Sequence, residues 1–178
     1  MKKNILLGIC SSIASYKSCE LIRMLTRNGF SVKVVMAPNA TKFISPLVFE
    51  ELTKNPVYVE MFERKENIEH IALCQWADFL VICPLSANTL SKIATGICDN
   101  LLTSIVCAFP SSKKILLVPA MNKNMWRNPV LQDNVKKLKK YKKYVIMNPE
   151  KGELLCKDVG IGRLPSLKKI YHKIKSLI

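Results

Sequence analysis

The sequence predicts a single α/β domain built on a doubly wound parallel sheet. Three observations predict it: short apolar runs recur at regular intervals, helical patterns fall between them, and 178 residues suit one sizeable core. The runs are NILLGI (4–9), SVKVVM (31–36), FLVICP (79–84), KILLVP (114–119) and YVIMN (144–148). They are nearly continuous rather than alternating, which suits strands buried on both faces.

The helices follow in order. Residues 14–28 set Ala14, Cys19, Ile22 and Leu25 near one face, and Asn28-Gly29 supplies a C-terminal stop. Ser86 can cap a helix over 87–96 that ends at Gly96. Asp99 is expected to cap the next one, NLLTSIVCAF. Pro129 stands at the first position of a helix over 129–140. Within KKLKKYKK (136–143), Leu138 and Tyr141 lie three apart, as on a buried helical stripe. The end, SLKKIYHKIKSLI, reads as a closing amphipathic helix. With no internal repeat, low-complexity segment or linker, residues 1–178 are expected to form one domain.

Composition narrows the function classes. The net charge of +15 admits nucleic acid, lipid or small anions as partners. Lysine far outnumbers arginine, the better reader of bases and phosphates, so no nucleic-acid partner is expected. No apolar run reaches the roughly 18–20 residues of a membrane span, so no membrane partner is expected. The opening MKKNILLGICSS begins like a signal peptide, but its apolar part is short and breaks at SSIASYK. It reads as a first strand, and the protein is expected in the cytoplasm. The seven cysteines lack CxxC spacing, and there are two histidines, so no metal site is expected. Most of the cysteines lie in apolar stretches, where free cysteine packs as a small hydrophobe.

Ligands of such sheets bind outside the carboxyl ends of the strands. That rule points to CSSIAS (10–15), APNATKF (37–43), LSANT (85–89) and AMNKNMW (120–126), which are expected to converge on one edge. The serines of the first loop suit either a helix cap or a bound phosphate. Neither GxGxxG nor GxxxxGK[ST] is present. His70, in NIEHIALCQWAD, suits either a structural hydrogen bond or a general base. Cys156 lies in KGELLCKDVGIGR (151–163), which has no clear period and reads as a flexible loop or lid. Its thiol is either an incidental surface cysteine or, beside Lys157, a reactive one.

PAMNKNMW (119–126) resembles the PxMNxxMW signature of the flavin-dependent cysteine decarboxylases. IEHIALCQWADFLVICPLSANTLSKIATGICDNLLTSIV (68–106) resembles the block that carries that family's histidine, and LLCKDVGIGR (154–163) resembles its CGDxGxGR loop. The resemblance runs in order from about residue 4 to 165. Departures are serine where many bacterial members have glycine in the first loop, Lys157 in place of the glycine after the loop cysteine, and GRLPS in place of GRMAE.

The resemblance implies a flavodoxin-like fold, non-covalent FMN, and assembly as a homotrimer or a homododecamer of trimers. Among the family's activities it implies decarboxylation of 4′-phosphopantothenoylcysteine to 4′-phosphopantetheine in coenzyme A biosynthesis. The route is thiol oxidation to a thioaldehyde, CO₂ loss and reduction of the enethiolate. The synthetase domain fused behind most bacterial members is not matched here, so either a separate ligase is the partner, which the closing helix favours, or the sequence is a domain excised from a longer protein. By position, His70 would be the base, Asn122 the carboxylate clamp and Cys156 the final acid. Ser11, Ser12, Ile13, Ala37, Asn39, Phe43, Ser86, Ala87, Asn88, Thr89 and Ala120 would line the flavin, and Met125 would join Asn122 at the substrate, with Trp126 packing behind. The competing readings are a peptidyl-cysteine decarboxylase, which would not need Cys156, a flavin prenyltransferase, which lacks PxMNxxMW, and a non-catalytic flavin-binding regulator.

Overall fold

The computed structural model describes residues 3–61, 69–153 and 159–178. Its strands are β1 (Asn4–Ile9), β2 (Ser31–Met36), β3 (Val57–Tyr58), β4 (Phe79–Leu85), β5 (Ile115–Pro119), β6 (Tyr144–Ile146), β7 (Glu150–Glu153) and β8 (Val159–Arg163). Its α-helices are α1 (Lys17–Arg27), α2 (Pro46–Thr53), α3 (Glu69–Trp76), α4 (Ala87–Thr95), α5 (Leu101–Ala108), α6 (Lys123–Arg127), α7 (Pro129–Lys139) and α8 (Leu167–Lys175). Six strands form one parallel sheet in the order β3-β2-β1-β4-β5-β6. Without the two-residue edge strand β3, the order is that of flavodoxin-like sheets.

All five apolar runs became strands. Every residue of β4 and β5 is buried, as is all of β1 after Asn4. The helices fall into two packed groups, α1 with α2 and α8, and α5 with α3 and α4, the last also touching α7. Right-handed crossovers place such groups on opposite faces of the sheet. Helix α1 turns Leu21, Ile22 and Leu25 fully inward, each worth about 1.5–3 kcal/mol of burial. Gly8, mid-strand in β1, lets α5 close on the sheet, because a Cβ there would lie 2.7 Å from Leu102 Cδ1.

Several expectations need correction. Asn100, not Asp99, caps α5, in a reciprocal box with Thr103. Asp99 is drawn instead to the Lys92 ammonium, 2.5 Å away, which holds its carboxyl below the usual range. Tyr141 is exposed although Leu138 is buried, because α7 stops at Lys139. Residues 150–153 and 159–163 are not a loop but an antiparallel hairpin, with Gly152 opposite Gly160 and Glu153 opposite Val159. Among the described cysteines Cys10, Cys74 and Cys83 are buried and Cys19 packs against the core, as expected of most, while Cys98 and Cys107 are exposed. Residues 14–16 belong to a 3₁₀ turn ahead of α1, so Ala14 is not on that helix.

Lysines also hold the scaffold. Lys143 Nζ donates to Val106 O and Phe109 O at the end of α5, and Lys113 Nζ to Cys74 O and Ala77 O at the end of α3. Each cation satisfies the orphan carbonyls of a helix C-terminus. Part of the basic charge is therefore structural.

Candidate active site

Because β1, β2, β4 and β5 are parallel, the loops that follow them leave the same edge, as the sequence predicted. Backbone hydrogen bonds join them: Cys10 N–H to Pro84 O at 3.2 Å, Ala37 N–H to Ile9 O at 2.9 Å, and Ala120 N–H to Leu85 O at 3.1 Å. The winding reverses between β1 and β4, so the crevice outside their carboxyl ends is the switch point where these sheets hold ligands.

Polar starts of turns and helices surround this crevice. Ser12 caps the 3₁₀ turn Ile13–Tyr16, its Oγ accepting from Ala14 N–H at 3.3 Å, and it reaches Ala120 O at 3.5 Å. Ser11 is half-buried beside it and Ile13 is exposed. Ser86 caps α4, accepting from Thr89 N–H at 3.2 Å, with the buried Thr89 hydroxyl also 3.2 Å away. Ala87 is half-buried and Asn88 exposed. The Cys10 thiol is pushed up by burial, partly offset by hydrogen bonds from Thr89 and Ser86. Burial also pushes up Cys83. Both thiols therefore stay protonated at neutral pH. In the second loop Ala37 is buried, while Asn39 and Phe43 face outward around the 3₁₀ turn Pro38–Lys42.

The fourth loop carries Asn122. It caps α6, its Oδ1 accepting from Asn124 N–H at 2.8 Å, which fixes which side of the amide bears the NH₂. Ala120 and Trp126 are buried, and Met125 is 49% exposed. Strand β8 lies against this loop. Met121 N–H donates to Gly162 O at 3.0 Å, and a Cβ on Gly162 would fall 2.2 Å from Met121 O. A Cβ on Gly160 would fall 2.8 Å from Lys123 Cβ. These two glycines are the positions that the sequence reading missed. Their spacing of two puts them on one face of a strand, and glycine inside a strand marks a close backbone approach.

His70 opens α3, is half-buried, and makes no side-chain hydrogen bond among the described residues. The far end of α3 is fixed at the amino edge, where Asn4 Nδ2 donates to Trp76 O and Asp78 N–H to Asn4 O. The eight residues of α3 rise about 12 Å, so His70 lies toward the carboxyl edge. Cys156 lies outside the described residues; β8 begins three residues after it.

Small buried walls at Ala37 and Ala120, with hydroxyls and N–H groups at the starts of turns and helices, fit a phosphorylated ring cofactor. Sheet and loops together define a mononucleotide-cofactor-binding α/β protein. The chain matches the Flavoprotein family over residues 1–178, and it belongs to that family.

Its relatives narrow the comparison. It is 42% identical over 177 residues to a probable phosphopantothenoylcysteine decarboxylase of Streptococcus mutans, covering 98% of each chain. It is 44% identical over 169 residues to the coenzyme A biosynthesis bifunctional protein CoaBC of Borreliella burgdorferi. That match covers 94% of this chain but 43% of the relative, so the chain spans less than half of the bifunctional protein. Among solved structures, a Cys→Ser variant of PPC decarboxylase complexed with pantothenoylaminoethenethiol superposes with a TM-score of 0.88 at 32% identity, covering 99% of this chain and 98% of that one. The FMN-binding protein AtHal3 superposes with a TM-score of 0.83 at 32% identity, covering 99% and 96%.

Proposed function

We propose that this protein is an FMN-dependent phosphopantothenoylcysteine decarboxylase, converting 4′-phosphopantothenoylcysteine to 4′-phosphopantetheine and CO₂ in coenzyme A biosynthesis. Family membership and the decarboxylase relatives support the reaction class and the flavin. The observation that carries the reading is the docking of β8 on the Asn122 loop. It ties the segment that follows Cys156 to the residue that would bind substrate.

FMN, when bound, supplies a two-electron acceptor and donor. Ser11, Ser12, Ile13, Ala37, Asn39, Phe43, Ser86, Ala87, Asn88, Thr89 and Ala120 would hold it. His70 accepts a proton as the substrate thiol is oxidised. The Asn122 NH₂ holds the substrate carboxylate, with Met125 beside it. A neutral amide suits this task, because a cation would favour the charged ground state over a transition state that is losing that charge. Cys156 then delivers the proton that completes reduction of the enethiolate.

The protein acts in the cytoplasm as a homotrimer or as trimers gathered into a dodecamer. The exposed apolar residues Ile13, Phe43, Leu47 and Met125, on loops and helix starts at the carboxyl edge, support an interface there.

The test is CO₂ release from phosphopantothenoylcysteine, compared with a cysteine-terminated peptide, by wild type and Asn122→Asp. The carboxylate of the variant repels that of the substrate, so decarboxylation is expected to fall by at least ~10²-fold while the flavin absorbance persists. An unchanged rate in the variant refutes the clamp, and turnover of the peptide alone refutes the substrate.

A further inference from the structure

Cys98 and Cys107 form a second thiol site, away from the carboxyl edge. The segment after α4 runs back along α5, where Ser104 Oγ donates to Cys98 O at 3.4 Å. Cys107 lies three residues beyond Ser104, hence on the same helical face. The Cys98 thiol is thereby brought to the side of α5 that carries Cys107, close enough to influence it, and reaches Gly96 O at 3.5 Å. Both thiols are exposed. Lys143, on the last carbonyls of α5, is near Cys107, and Tyr144 is near both cysteines. That end of α5 leads to the start of β5, at the edge opposite the Asn122 loop. None of the proposed catalytic groups belongs to this cluster.

We propose that Cys98 and Cys107 are a dithiol oxidation site, at which a hydroperoxide closes an intramolecular disulfide. Burial leads in raising the Cys98 thiol above its ordinary value, and the neighbouring Cys107 side chain and the Asp99 charge add to it. Cys98 thus keeps its proton, and the exposed Cys107 is the thiol that meets the peroxide first. The Cys107 sulfur takes the terminal oxygen of the peroxide, the O–O bond breaks, and water or an alcohol leaves. The Cys98 sulfur then attacks the sulfenic sulfur, its proton leaves with the hydroxyl as water, and the S–S bond forms. Two thiols lose two electrons and the peroxide gains them. The bridge fastens the segment after α4 to the last turn of α5. It does not depend on the reaction that the carboxyl edge performs.

The test treats the reduced protein with hydrogen peroxide, followed by thiol counting and non-reducing peptide mass mapping. The expected result is loss of two titratable thiols and a Cys98–Cys107 peptide lighter by two hydrogens, restored by dithiothreitol. Cys107→Ser is expected to abolish that link and leave the basal enzymatic rate unchanged. Full alkylation of both cysteines after peroxide, a link from either to another cysteine, or a link between two chains would overturn the proposal.

Discussion

Gly162→Ala tests whether the hairpin positions the Asn122 loop. The new methyl would start 2.2 Å from Met121 O, a backbone atom that no rotamer change can remove. Real Cβ contacts stay beyond 3.0 Å, so β8 and the loop must part by about 0.8 Å, the difference of the two distances. That movement stretches the 3.0 Å bond from Met121 N–H to Gly162 O. The lost hydrogen bond costs about 1 kcal/mol and the overpacking about 1–3 kcal/mol. For a chain of this length the sum lowers Tm by roughly 5–15 °C. A displacement of this order beside a substrate-binding amide lowers kcat/KM by roughly 10²-fold. The assays are thermal unfolding and CO₂ release, with flavin absorbance confirming that the sheet edge is intact. Gly152→Ala is the control, because its Cβ would meet only the flexible end of Arg163, at 2.8–3.0 Å, and should change both quantities little. A wild-type Tm in Gly162→Ala refutes the close docking. A lowered Tm with a wild-type rate refutes the link from hairpin to site.

Two further predictions concern the scaffold. Gly8→Ala is expected to cost about 1–3 kcal/mol, because its Cβ would lie 2.7 Å from Leu102 Cδ1 and 3.3 Å from Ile82 Cγ1. Adding Leu102→Val should recover part of that loss in thermal melts, and an unchanged Tm in the single variant would show that α5 does not press on the strand. Glu150→Gln tests the tie from the hairpin to α8: Lys169 Nζ lies 2.6 Å and Arg163 3.7 Å from the Glu150 carboxylate, and the Lys169 hydrogen bond leads in lowering its pKa. A depressed carboxylate stabilises fully above its unfolded pKa, and the benefit is lost as pH falls through the folded one. The variant should therefore melt lower at pH 7, by about 0.2–1 kcal/mol for so solvent-exposed a pair, and converge with wild type in acid. A gap that persists in acid would sink the ion-pair explanation.

The sheet was legible in the sequence because its strands are buried on both faces. Burial on two faces forces continuous apolar runs, and five such runs became β1, β2, β4, β5 and β6. The two-residue strand β3 escaped notice because Val57 and Tyr58 are too few to show a period. Helix ends that rest on local chemistry were also legible: Ser86 and Gly96 around α4, and Pro129 at the start of α7. The cap of α5 was misassigned because Asp99 and Asn100 are equally able to cap. Only the distant Lys92 ammonium decides between them.

For the candidate site, the sequence by itself determined that four polar loops follow parallel strands and so share one edge. Strand direction alone brings that about. Only the tertiary structure decided that residues 150–153 and 159–163 pair as a hairpin, and that Gly162 meets Met121. It alone decided that Lys143 caps α5 and that Cys98 faces Cys107. Each of these is a contact between segments whose own residues carry no period and no cap signature. Such contacts are set by the space left when the sheet and its helices close, and a linear pattern does not contain that space.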